Sequence, residues 1–437
     1  MSKEIFKKYD VRGIVDEQLN EQVMQQLGYG FAKENNLQNC LVGQDIRKTS
    51  PAYAQAVIKG LRAAGCNVTQ IGTCSTAQLK WAVGEEKLDA AMMITASHNP
   101  PNYNGIKFYL QAGTPYGEQQ GMHELKNYLE TTPPQKEVGT LQTASKKEAY
   151  TDFLHKHLPS NETPVFIDPS AGAACQELKA LAKKGGYNWT LYNAEEDPQF
   201  SEHSPNPLDP EAYETAADWS SINNCISAVL DGDADRILFI DETGSLVPAD
   251  YLSAWLAQEL VKTGAISTVN ASRALKKYCE ENNKKYEQVA VGWIFVQNAL
   301  AKHGFELGAE KSGHIFFKEA HNAEAPLLCL LYVLKLLNGK RLADVISPIA
   351  EQFHSSKEYN YKVNDREEVL KQAKKHFAEH GELDETDGVL IESNDFWLSL
   401  RASNTEPLIR VTWEATNQET YTAVKELVND FIKPYTA

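Results

Sequence analysis

The residues best suited to chemistry in this sequence are three aspartates at every second position. Residues 226–230 (ISAVL) predict a buried strand, and Asp231, Asp233 and Asp235 follow it, separated by small residues. Their oxygens can turn toward one hard cation such as Mg²⁺, and without a cation they would repel one another. An EF-hand loop is disfavoured because Arg236 stands where that loop needs glycine and the flanks predict strands. The pattern favours a metal site, with a polar turn between strands as the alternative.

A serine stands at the end of a second predicted strand. Residues 89–95 (DAAMMIT) form the apolar run, and Ser97 and His98 come next, ahead of two prolines that cannot continue the strand. Ser97 is therefore expected on a loop just beyond the carboxyl end of the strand, where open α/β sheets bind ligands. With His98 beside it and Lys107 ten residues on, Ser97 could be a nucleophile with an acid–base helper. A capping or turn element is the alternative.

A third polar segment suits a hydroxylated ligand. Residues 305–317 predict strand, loop and strand, and the loop carries Glu310, Ser312 and His314 around two glycines. Glutamate and serine are suitable partners for sugar hydroxyls, which both donate and accept hydrogen bonds. A glycine-flanked polar turn is the alternative.

A fourth segment suits a phosphate. Residues 396–411 predict two strands, and their loop carries a guanidinium together with hydroxyl groups and exposed backbone N–H groups, a combination that can hold a phosphate dianion. It is not a Walker A loop, because no G-x-x-x-x-G-K-[ST] occurs, and the absence of G-x-S-x-G weakens a hydrolase interpretation of Ser97. The residues concerned are Arg401, Ser403, Asn404 and Thr405 in the loop and Arg410 on the next strand.

The elements that must position these side chains alternate along most of the chain. Apolar strands near 39–45 and 163–169 are each followed by an amphipathic helix and another strand, and a third set begins near 250–262. This alternation predicts parallel α/β layers. After about residue 354 the pattern changes to an α+β unit with an antiparallel sheet. The predicted domains are 1–145, 150–247, 248–353 and 357–437, one more than the length of 437 residues suggests at about 150 per domain.

Composition and charge indicate which partners and which cellular location to expect. Lysine and arginine number 43 against 59 acidic residues, a formal net charge of −16, which disfavours nucleic acid and anionic membranes as partners but not a small anion held by a local basic cluster. The seven cysteines form no C-x-x-C pair, which favours free thiols in a reducing compartment. The N-terminus shows no secretory apolar segment, and the longest apolar stretch, 325–337, is too short for a membrane span. The expectation is a soluble, cytoplasmic protein.

Together, the four polar segments closely resemble the α-D-phosphohexomutase superfamily, of the phosphomannomutase/phosphoglucomutase type. The resemblance runs from residues 9–13 (YDVRG) to 401–407 (RASNTEP) and so covers nearly the whole chain. It implies three similar mixed α/β domains with βαβ units and a C-terminal α+β domain, arranged around a central active-site cleft. The implied partners are small-molecule hexose phosphates, and the implied assembly is a monomer or a homodimer.

The resemblance also implies roles for individual residues. Ser97 matches the serine that is phosphorylated in the active enzyme, and together with Asp231, Asp233 and Asp235 it would bind Mg²⁺. Residues matching the surroundings of the transferring phosphate are Arg12, His98 and Lys107, with Arg236 in the metal loop. Lys107, His98 and His314 are the candidates for moving the hydroxyl proton. Residues matching substrate contacts are Glu310 and Ser312 at the sugar, and Arg401, Ser403, Asn404, Thr405 and Arg410 at the phosphate that is not transferred.

The implied reaction is reversible transfer of phosphate between the 1- and 6-positions of mannose and/or glucose phosphate. It would proceed through the phosphoserine and a hexose 1,6-bisphosphate, which acts as intermediate and activator. Trp293 and Asn270 depart from the family pattern at positions that bear on the substrate. The alternatives are a phosphoglucosamine mutase, which Asn404 disfavours, a catalytically silent sugar-phosphate-binding paralogue, and a metal-dependent phosphatase.

Overall fold

The computed structural model describes residues 3–136, 138–159, 163–187, 189–403 and 408–436. The chain forms two compact units, and each is described by itself below. The first unit contains Met1–Val247 with Ser312–Leu342, and the second contains Pro248–Lys311 with Ala343–Ala437.

The first sheet of the first unit has a parallel centre and antiparallel strands at one side. Its strands are β1 (Val11–Ile14), β2 (Asn39–Gln44), β3 (Asn67–Thr73), β4 (Ala90–Ile94), β5 (Tyr103–Leu110), β6 (Thr114–Pro115) and β7 (Leu141–Thr143). They lie in the order β1-β5-β4-β2-β3-β7, and β6 pairs with β5. The accompanying helices are α1 (Glu21–Glu34), α2 (Ser50–Ala63) and α3 (Thr76–Glu86).

Local sequence explains the elements that carry the serine loop. Strand β4 is buried at every position because it lies between β2 and β5 and both of its faces are covered. Its last residue, Ile94, leads into the loop that contains Ser97, and β5 returns antiparallel with Lys107 opposite Met93. Ser75 caps the N-terminus of helix α3, because its side chain accepts a hydrogen bond from the Gln78 N–H group.

The second sheet of the first unit carries the acidic loop between two antiparallel strands. Its strands are β8 (Val165–Asp168), β9 (Thr190–Leu191), β10 (Ile226–Leu230), β11 (Ile237–Ile240) and β12 (Leu246–Val247). They lie in the order β12-β11-β10-β8-β9, with β8 parallel to both β9 and β10. The helices are α4 (Lys147–His155), α5 (Cys175–Gly185) and α6 (Pro210–Asn223).

The next stretch of chain contributes to both units. In the second unit, β13 (Gly264–Thr268) lies parallel to β14 (Lys285–Val289) and β15 (Leu307–Ala309). The helices of this part are α7 (Ala249–Leu260), α8 (Ala274–Glu281) and α9 (Trp293–His303). In the first unit, β16 (Ile315–Phe317) pairs antiparallel with β17 (Ala323–Glu324), and α10 (Pro326–Leu337) follows.

The rest of the second unit is an antiparallel sheet with helices. After α11 (Leu342–Ala350), its strands are β18 (His354–Ser355), β19 (Tyr359–Lys362), β20 (Glu382–Asp384), β21 (Val389–Glu392), β22 (Phe396–Ala402) and β23 (Leu408–Ala415). The order is β18-β23-β22-β21-β20, and β19 also pairs with β23. Helices α12 (Arg366–Phe377) and α13 (Gln418–Ile432) bury Phe377, Val428 and Phe431 in a core with the strands.

The predicted fold class, three mixed α/β parts and a C-terminal α+β part, is confirmed. Residues 131–150 combine proline, glycine and lysine with few large apolar residues, a composition that predicts a connector between domains, and here the structure differs. The structure places β7 within this stretch, parallel to β3, and begins α4 at Lys147. All three residues of β7 are exposed, so no alternation of apolar and polar residues marks it as a strand.

A buried carboxylate joins the two sheets of the first unit. Glu177 on α5 accepts hydrogen bonds from the backbone N–H and the hydroxyl of Ser75, both at 2.8 Å. Burial raises the pKa of Glu177 to about 7, although the hydrogen bonds from Ser75 oppose that shift. The start of α3 is therefore tied to α5 through a group that titrates near neutral pH.

We expect Glu177 to make the stability of the protein depend on pH. Its folded pKa of about 7 lies above the unfolded value of about 4.3, so the folded state binds more protons between these limits. The free energy of unfolding should therefore fall as pH rises from about 4.3 to about 7, by roughly 4 kcal/mol, and change little above that. Urea unfolding at several pH values, compared with Glu177→Gln, measures this contribution. Identical pH slopes for the two proteins would contradict it.

Candidate active site

Ser97 lies on the loop after β4, as the sequence predicts, and in an uncommon backbone conformation. Its φ is +52°, in the left-handed region, and the residue is buried. The Ser97 N–H group donates to Oγ1 of Thr95 at 2.8 Å. The Ser97 hydroxyl lies 3.2 Å from Nδ1 of His98 and donates to Oδ2 of Asp231, also at 3.2 Å. The serine side chain is thus aimed at the acidic loop.

A single buried guanidinium fixes the carbonyl groups of this loop. Nη1 of Arg47 donates to the carbonyl oxygens of Pro100 and Tyr103 at 2.7 and 3.0 Å. Nη2 donates to those of Ser97 and Asn99 at 2.8 and 2.6 Å. Because these acceptors run from the serine to Tyr103, Arg47 holds the backbone of the loop from Ser97 onward.

Arg47 is itself held in place by two contacts, one at its Nε atom and one on a face of its guanidinium. Nε donates to Oδ2 of Asp45 at 3.1 Å, and both side chains are only 1% exposed. The guanidinium carbon lies 5.2 Å from the ring centre of Phe200, within range of a cation–π contact. The sequence interpretation did not identify Arg47. Its position just beyond the buried strand β2, like that of Ser97 beyond β4, was the available signal.

The three predicted aspartates come together on the loop between β10 and β11. Asp231, Asp233 and Asp235 are buried, and their carboxylate oxygens lie within 4.8 Å of one another. Oδ1 of Asp231 accepts the backbone N–H groups of Asp235 and Arg236, at 3.0 and 3.1 Å. The loop therefore folds back on its own first residue, which leaves the other two aspartates facing the same space.

The acidic loop fits a hard cation. Among the described residues, Oδ1 of Asp233 and Oδ1 of Asp235 are buried and have no hydrogen-bond partner. Burial, followed by the charges of Asp235 and Asp233, raises the pKa of Asp231 well above its ordinary value. A divalent cation would provide a partner for these oxygens and would offset the repulsion among the carboxylates. The group could therefore hold a metal ion.

Two side chains orient Asp233 from outside the loop. Nζ of Lys107 and Oγ1 of Thr76 both donate to Oδ2 of Asp233, each at 2.6 Å. Lys107 also pairs with Asp235. Burial alone would lower the pKa of Lys107, but Asp233 and Asp235 hold it above the ordinary value. Thr76 was not identified from the sequence; its N–H group also donates to the Asp233 carbonyl, at 2.9 Å.

The remaining predicted residues of this unit surround the serine and the acidic loop. Arg12 on β1 pairs with Asp10 at 2.7 Å and donates from Nη1 to Oδ1 of Asn99, also at 2.7 Å. Nε of Arg236 donates to Nε2 of His314 at 3.0 Å, and the other ring nitrogen of His314 lies 3.1 Å from the Asp235 carbonyl. Burial lowers the pKa of His314 to about 3. The ring is therefore neutral and both of its nitrogens are engaged.

His98 is neutral as well. Burial, together with the positive charges of Arg236 and Arg12, lowers its pKa well below the ordinary value. A neutral imidazole whose Nδ1 faces a serine hydroxyl can accept a proton from it.

In the second unit, Glu310 follows β15 and is almost fully buried. Its Oε1 accepts the N–H group of Gly292 at 2.9 Å, just before Trp293 begins α9. Ser312, in the first unit, is half-buried. The contact between Glu310 and Gly292 fixes one carboxylate oxygen beside the start of a helix.

The predicted phosphate residues of the second unit lie on facing strands. Arg401 on β22 stands directly opposite Arg410 on β23, so both side chains leave the same face of the sheet. Ser403 is buried, and its carbonyl accepts a hydrogen bond from Nη1 of Arg366 at 2.5 Å. Asn404 and Thr405 lie outside the described residues. The carboxylate of Glu358, which the sequence interpretation did not consider, bridges Arg401 and Arg410.

Within the described part of the chain, no helix is both long and apolar enough to cross a bilayer.

Comparison with known protein families gives four consecutive matches that together span most of the chain. All four carry the description phosphoglucomutase/phosphomannomutase. They are alpha/beta/alpha domain I at residues 3–136, domain II at 148–244, domain III at 246–353 and the C-terminal domain at 358–431.

Individual relatives agree with these matches. A phosphomannomutase of Methanocaldococcus jannaschii is 30% identical over 440 residues, which cover 98% of this chain and 97% of the relative. A phosphoglucosamine mutase of Methanococcus maripaludis is 31% identical, over 89% of this chain and 91% of the relative. The crystal structure of a phosphoglucomutase/phosphomannomutase family protein from Burkholderia thailandensis matches with a TM-score of 0.87 at 24% identity, over 99% of this chain and 98% of that one. The structural likeness shows the fold.

We expect Arg47→Met to destabilise the protein strongly. The substitution leaves Asp45 buried without its ionic partner and removes the hydrogen bonds to the serine loop, so the free energy of unfolding should fall by about 3–5 kcal/mol. Urea unfolding measures the change. Lys48→Met is the matched control, because Lys48 is exposed on the same loop and its loss should change stability by no more than about 0.5 kcal/mol. Equal effects of the two substitutions would contradict the role given to Arg47.

Proposed function

Because this chain belongs to the phosphoglucomutase/phosphomannomutase family and is a phosphohexomutase, we propose that it interconverts the 1- and 6-phosphates of mannose and/or glucose. The observation that carries the proposal is the position of the Ser97 hydroxyl, 3.2 Å from Asp231 and 3.2 Å from His98. A buried serine beside an acidic cluster and a neutral imidazole suits a residue that carries a phosphoryl group.

The proposed cycle uses Ser97 as the phosphate carrier. Phospho-Ser97 gives its phosphoryl group to the free terminal hydroxyl of a hexose phosphate: the bond from phosphorus to Oγ breaks, and a bond to the sugar oxygen forms. The proton of the sugar hydroxyl ends on Oγ of Ser97. The resulting hexose 1,6-bisphosphate reorients so that its other phosphate faces Ser97, and it then returns that phosphate to Ser97. The net reaction is therefore isomerisation. Added hexose 1,6-bisphosphate would also phosphorylate Ser97 at the start, which makes it an activator.

Positive charge around Ser97 supports transfer of a phosphoryl group, whose transition state is stabilised mainly by positioning and by neutralisation of charge. We assign this task to Arg12, Lys107 and Arg236. We further propose that Asp231, Asp233, Asp235 and Ser97 hold Mg²⁺, which when bound would supply positive charge opposite the phosphoryl oxygens. The oxygens of Asp233 and Asp235 that have no partner among the described residues support this.

We assign the movement of the proton to His98. Its Nδ1 is within 3.2 Å of Oγ of Ser97. Lys107 and His314, the other candidates, are engaged: Lys107 donates to Asp233 and pairs with Asp235, and Nε2 of His314 accepts from Arg236. We therefore propose that Lys107 neutralises charge and that His314 positions Arg236.

The sugar and its second phosphate need separate partners. We propose that Glu310 and Ser312 bind sugar hydroxyls, since each can pair with groups that donate and accept. Arg401, Ser403 and Arg410, together with Asn404 and Thr405 outside the described residues, would grip the phosphate that is not transferred. The opposed guanidiniums of Arg401 and Arg410 support this, because two such groups can hold a dianion.

We propose three further properties of the protein. We divide the chain into domains at 1–145, 150–247, 248–353 and 357–437. We place the protein in the cytoplasm, which the seven buried free thiols support. We expect a monomer or a homodimer without nucleic acid or membrane partners.

The second candidate substrate is glucosamine phosphate. Relatives of nearly equal identity, 30% and 31%, carry the names phosphomannomutase and phosphoglucosamine mutase. Asn404 favours the hexose phosphates by its resemblance to that branch of the superfamily. A catalytically silent paralogue is disfavoured, because Ser97 and the three aspartates of the acidic loop are all present and lie together.

The substrate can be tested directly by isomerisation assays. Purified protein is given Mg²⁺ and a trace of glucose 1,6-bisphosphate, with mannose 1-, glucose 1- or glucosamine 1-phosphate offered separately. We expect 6-phosphate to form from mannose or glucose 1-phosphate and to be lost in Ser97→Ala. Turnover of glucosamine 1-phosphate alone would support the second candidate, net release of phosphate would indicate a phosphatase, and no isomerisation of any substrate would contradict the proposal.

The phosphate carrier can be tested by intact mass. After treatment with glucose 1,6-bisphosphate, the protein should gain the mass of one phosphoryl group, and Ser97→Ala should not. Ser145→Ala, at an exposed serine, is the matched control and should still gain it. A gain that survives in Ser97→Ala would place the phosphate elsewhere.

A further inference from the structure

The two arginines proposed to grip the second phosphate already hold an anionic group of the chain itself. Oε2 of Glu358 accepts from Nη2 of Arg401 at 3.0 Å, and Oε1 accepts from Nη1 of Arg410, also at 3.0 Å. Glu358 stands just before β19, two residues ahead of Asn360, which pairs with Arg410 in the sheet. Alternate residues share a face, so the backbone register directs Glu358 toward Arg410.

This arrangement resembles the binding of a phosphate by the same donors. A carboxylate that gives one oxygen to each of two guanidiniums uses the charge-assisted hydrogen bonds that two phosphate oxygens would use. Nε of Arg410 is buried and, within the described residues, has no hydrogen-bond partner. A phosphate has one more oxygen than these two contacts occupy, whereas the carboxylate has none left.

The local charges disfavour binding of a phosphate between Arg401 and Arg410 while the Glu358 carboxylate is also there. Asp387 lies 3.9 Å from Nη1 of Arg401, so two carboxylates balance the two guanidiniums while Glu358 is in place. A dianion arriving there would find both guanidiniums already paired and would lie against a carboxylate of like charge. The side chain of Glu358 is 27% exposed, which leaves it a route into solvent.

We propose that Glu358 is an internal competitor for the phosphate of the substrate. It occupies the guanidinium pair while the site is empty and leaves when the phosphate arrives. The inference rests on the proposed function, because it takes Arg401 and Arg410 as phosphate ligands. The opposing view is that Glu358 orients the two arginines for the phosphate and stays in place. If the charge of Glu358 is removed, competition predicts a lower Kd for phosphate, whereas orientation predicts a higher Kd.

Calorimetric titration with inorganic phosphate, in the absence of Mg²⁺, separates them. Glu358→Gln removes the charge at nearly constant size and should lower the Kd for phosphate about tenfold, because a like charge no longer faces the dianion. Glu382→Gln is the matched control: it removes one negative charge from an exposed position of the same sheet and should leave the Kd unchanged. An unchanged or higher Kd in Glu358→Gln would overturn the proposal, the higher value in favour of orientation.

Arg401→Gln distinguishes failure of this inference from failure of the proposed function. If phosphate binds at the guanidinium pair, Arg401→Gln should weaken it at least about tenfold through loss of a charged hydrogen-bond donor. Equal affinity in Arg401→Gln and the unaltered protein would show that phosphate binds elsewhere. That outcome would overturn the assignment of Arg401 and, with it, the inference about Glu358.

A crystal structure with glucose 6-phosphate gives an independent readout. We expect the phosphate between Arg401 and Arg410 and the Glu358 carboxylate out of contact with both. A carboxylate still bound to both guanidiniums, with phosphate beside it, would overturn displacement. In the isomerisation assay, Glu358→Gln should lower KM by a factor similar to that in Kd, and a raised KM would count against competition.

Discussion

Repulsion among three buried carboxylates is the constraint on which much of the first unit depends. Asp231, Asp233 and Asp235 lie within reach of one another and away from water. Such a group persists only where positive charge and hydrogen-bond donors surround it. The donors come from separate parts of the chain: backbone N–H groups of the loop, Lys107 on β5 and the hydroxyl of Thr76 at the start of α3. The contacts of Lys107 and Thr76 with the acidic loop thus join elements of the two sheets and also offset the repulsion among the carboxylates.

The serine loop also needs hydrogen-bond donors, in this case for its backbone carbonyl groups. Its carbonyl groups lie where no strand continues, so they need donors that secondary structure does not supply. Arg47 supplies them with one planar group, and Asp45 fixes the orientation of that group. Both residues follow the carboxyl end of β2, next to β4 in the sheet. Adjacent parallel strands thereby deliver the serine and its support to the same edge.

The sequence predicts those parts of the site that depend on neighbouring residues, and it does not predict contacts between residues far apart in the chain. The buried run before Ser97 and the spacing of Asp231, Asp233 and Asp235 are local patterns, and they identified both loops correctly. Roles in phosphoryl transfer came from resemblance to a family rather than from the pattern itself. Arg47, Thr76 and Glu358 were missed because each acts on a residue far away in the chain: Thr76 reaches Asp233 across 157 positions. Charged residues just after buried strands were a usable signal for Arg47, whereas β7, exposed at every position, carried none.

The left-handed backbone of Ser97 has a consequence for how such a chain can change. A residue with a Cβ atom carries about 1 kcal/mol or more of strain in this conformation, and glycine would relieve it. The substitution that best suits the turn is therefore one that deletes the hydroxyl group. The role proposed for Ser97 requires that hydroxyl group, so the demands of folding and of the proposed reaction oppose each other at this position. The hydrogen bonds from Arg47 to the carbonyl groups of the loop help to hold the strained turn.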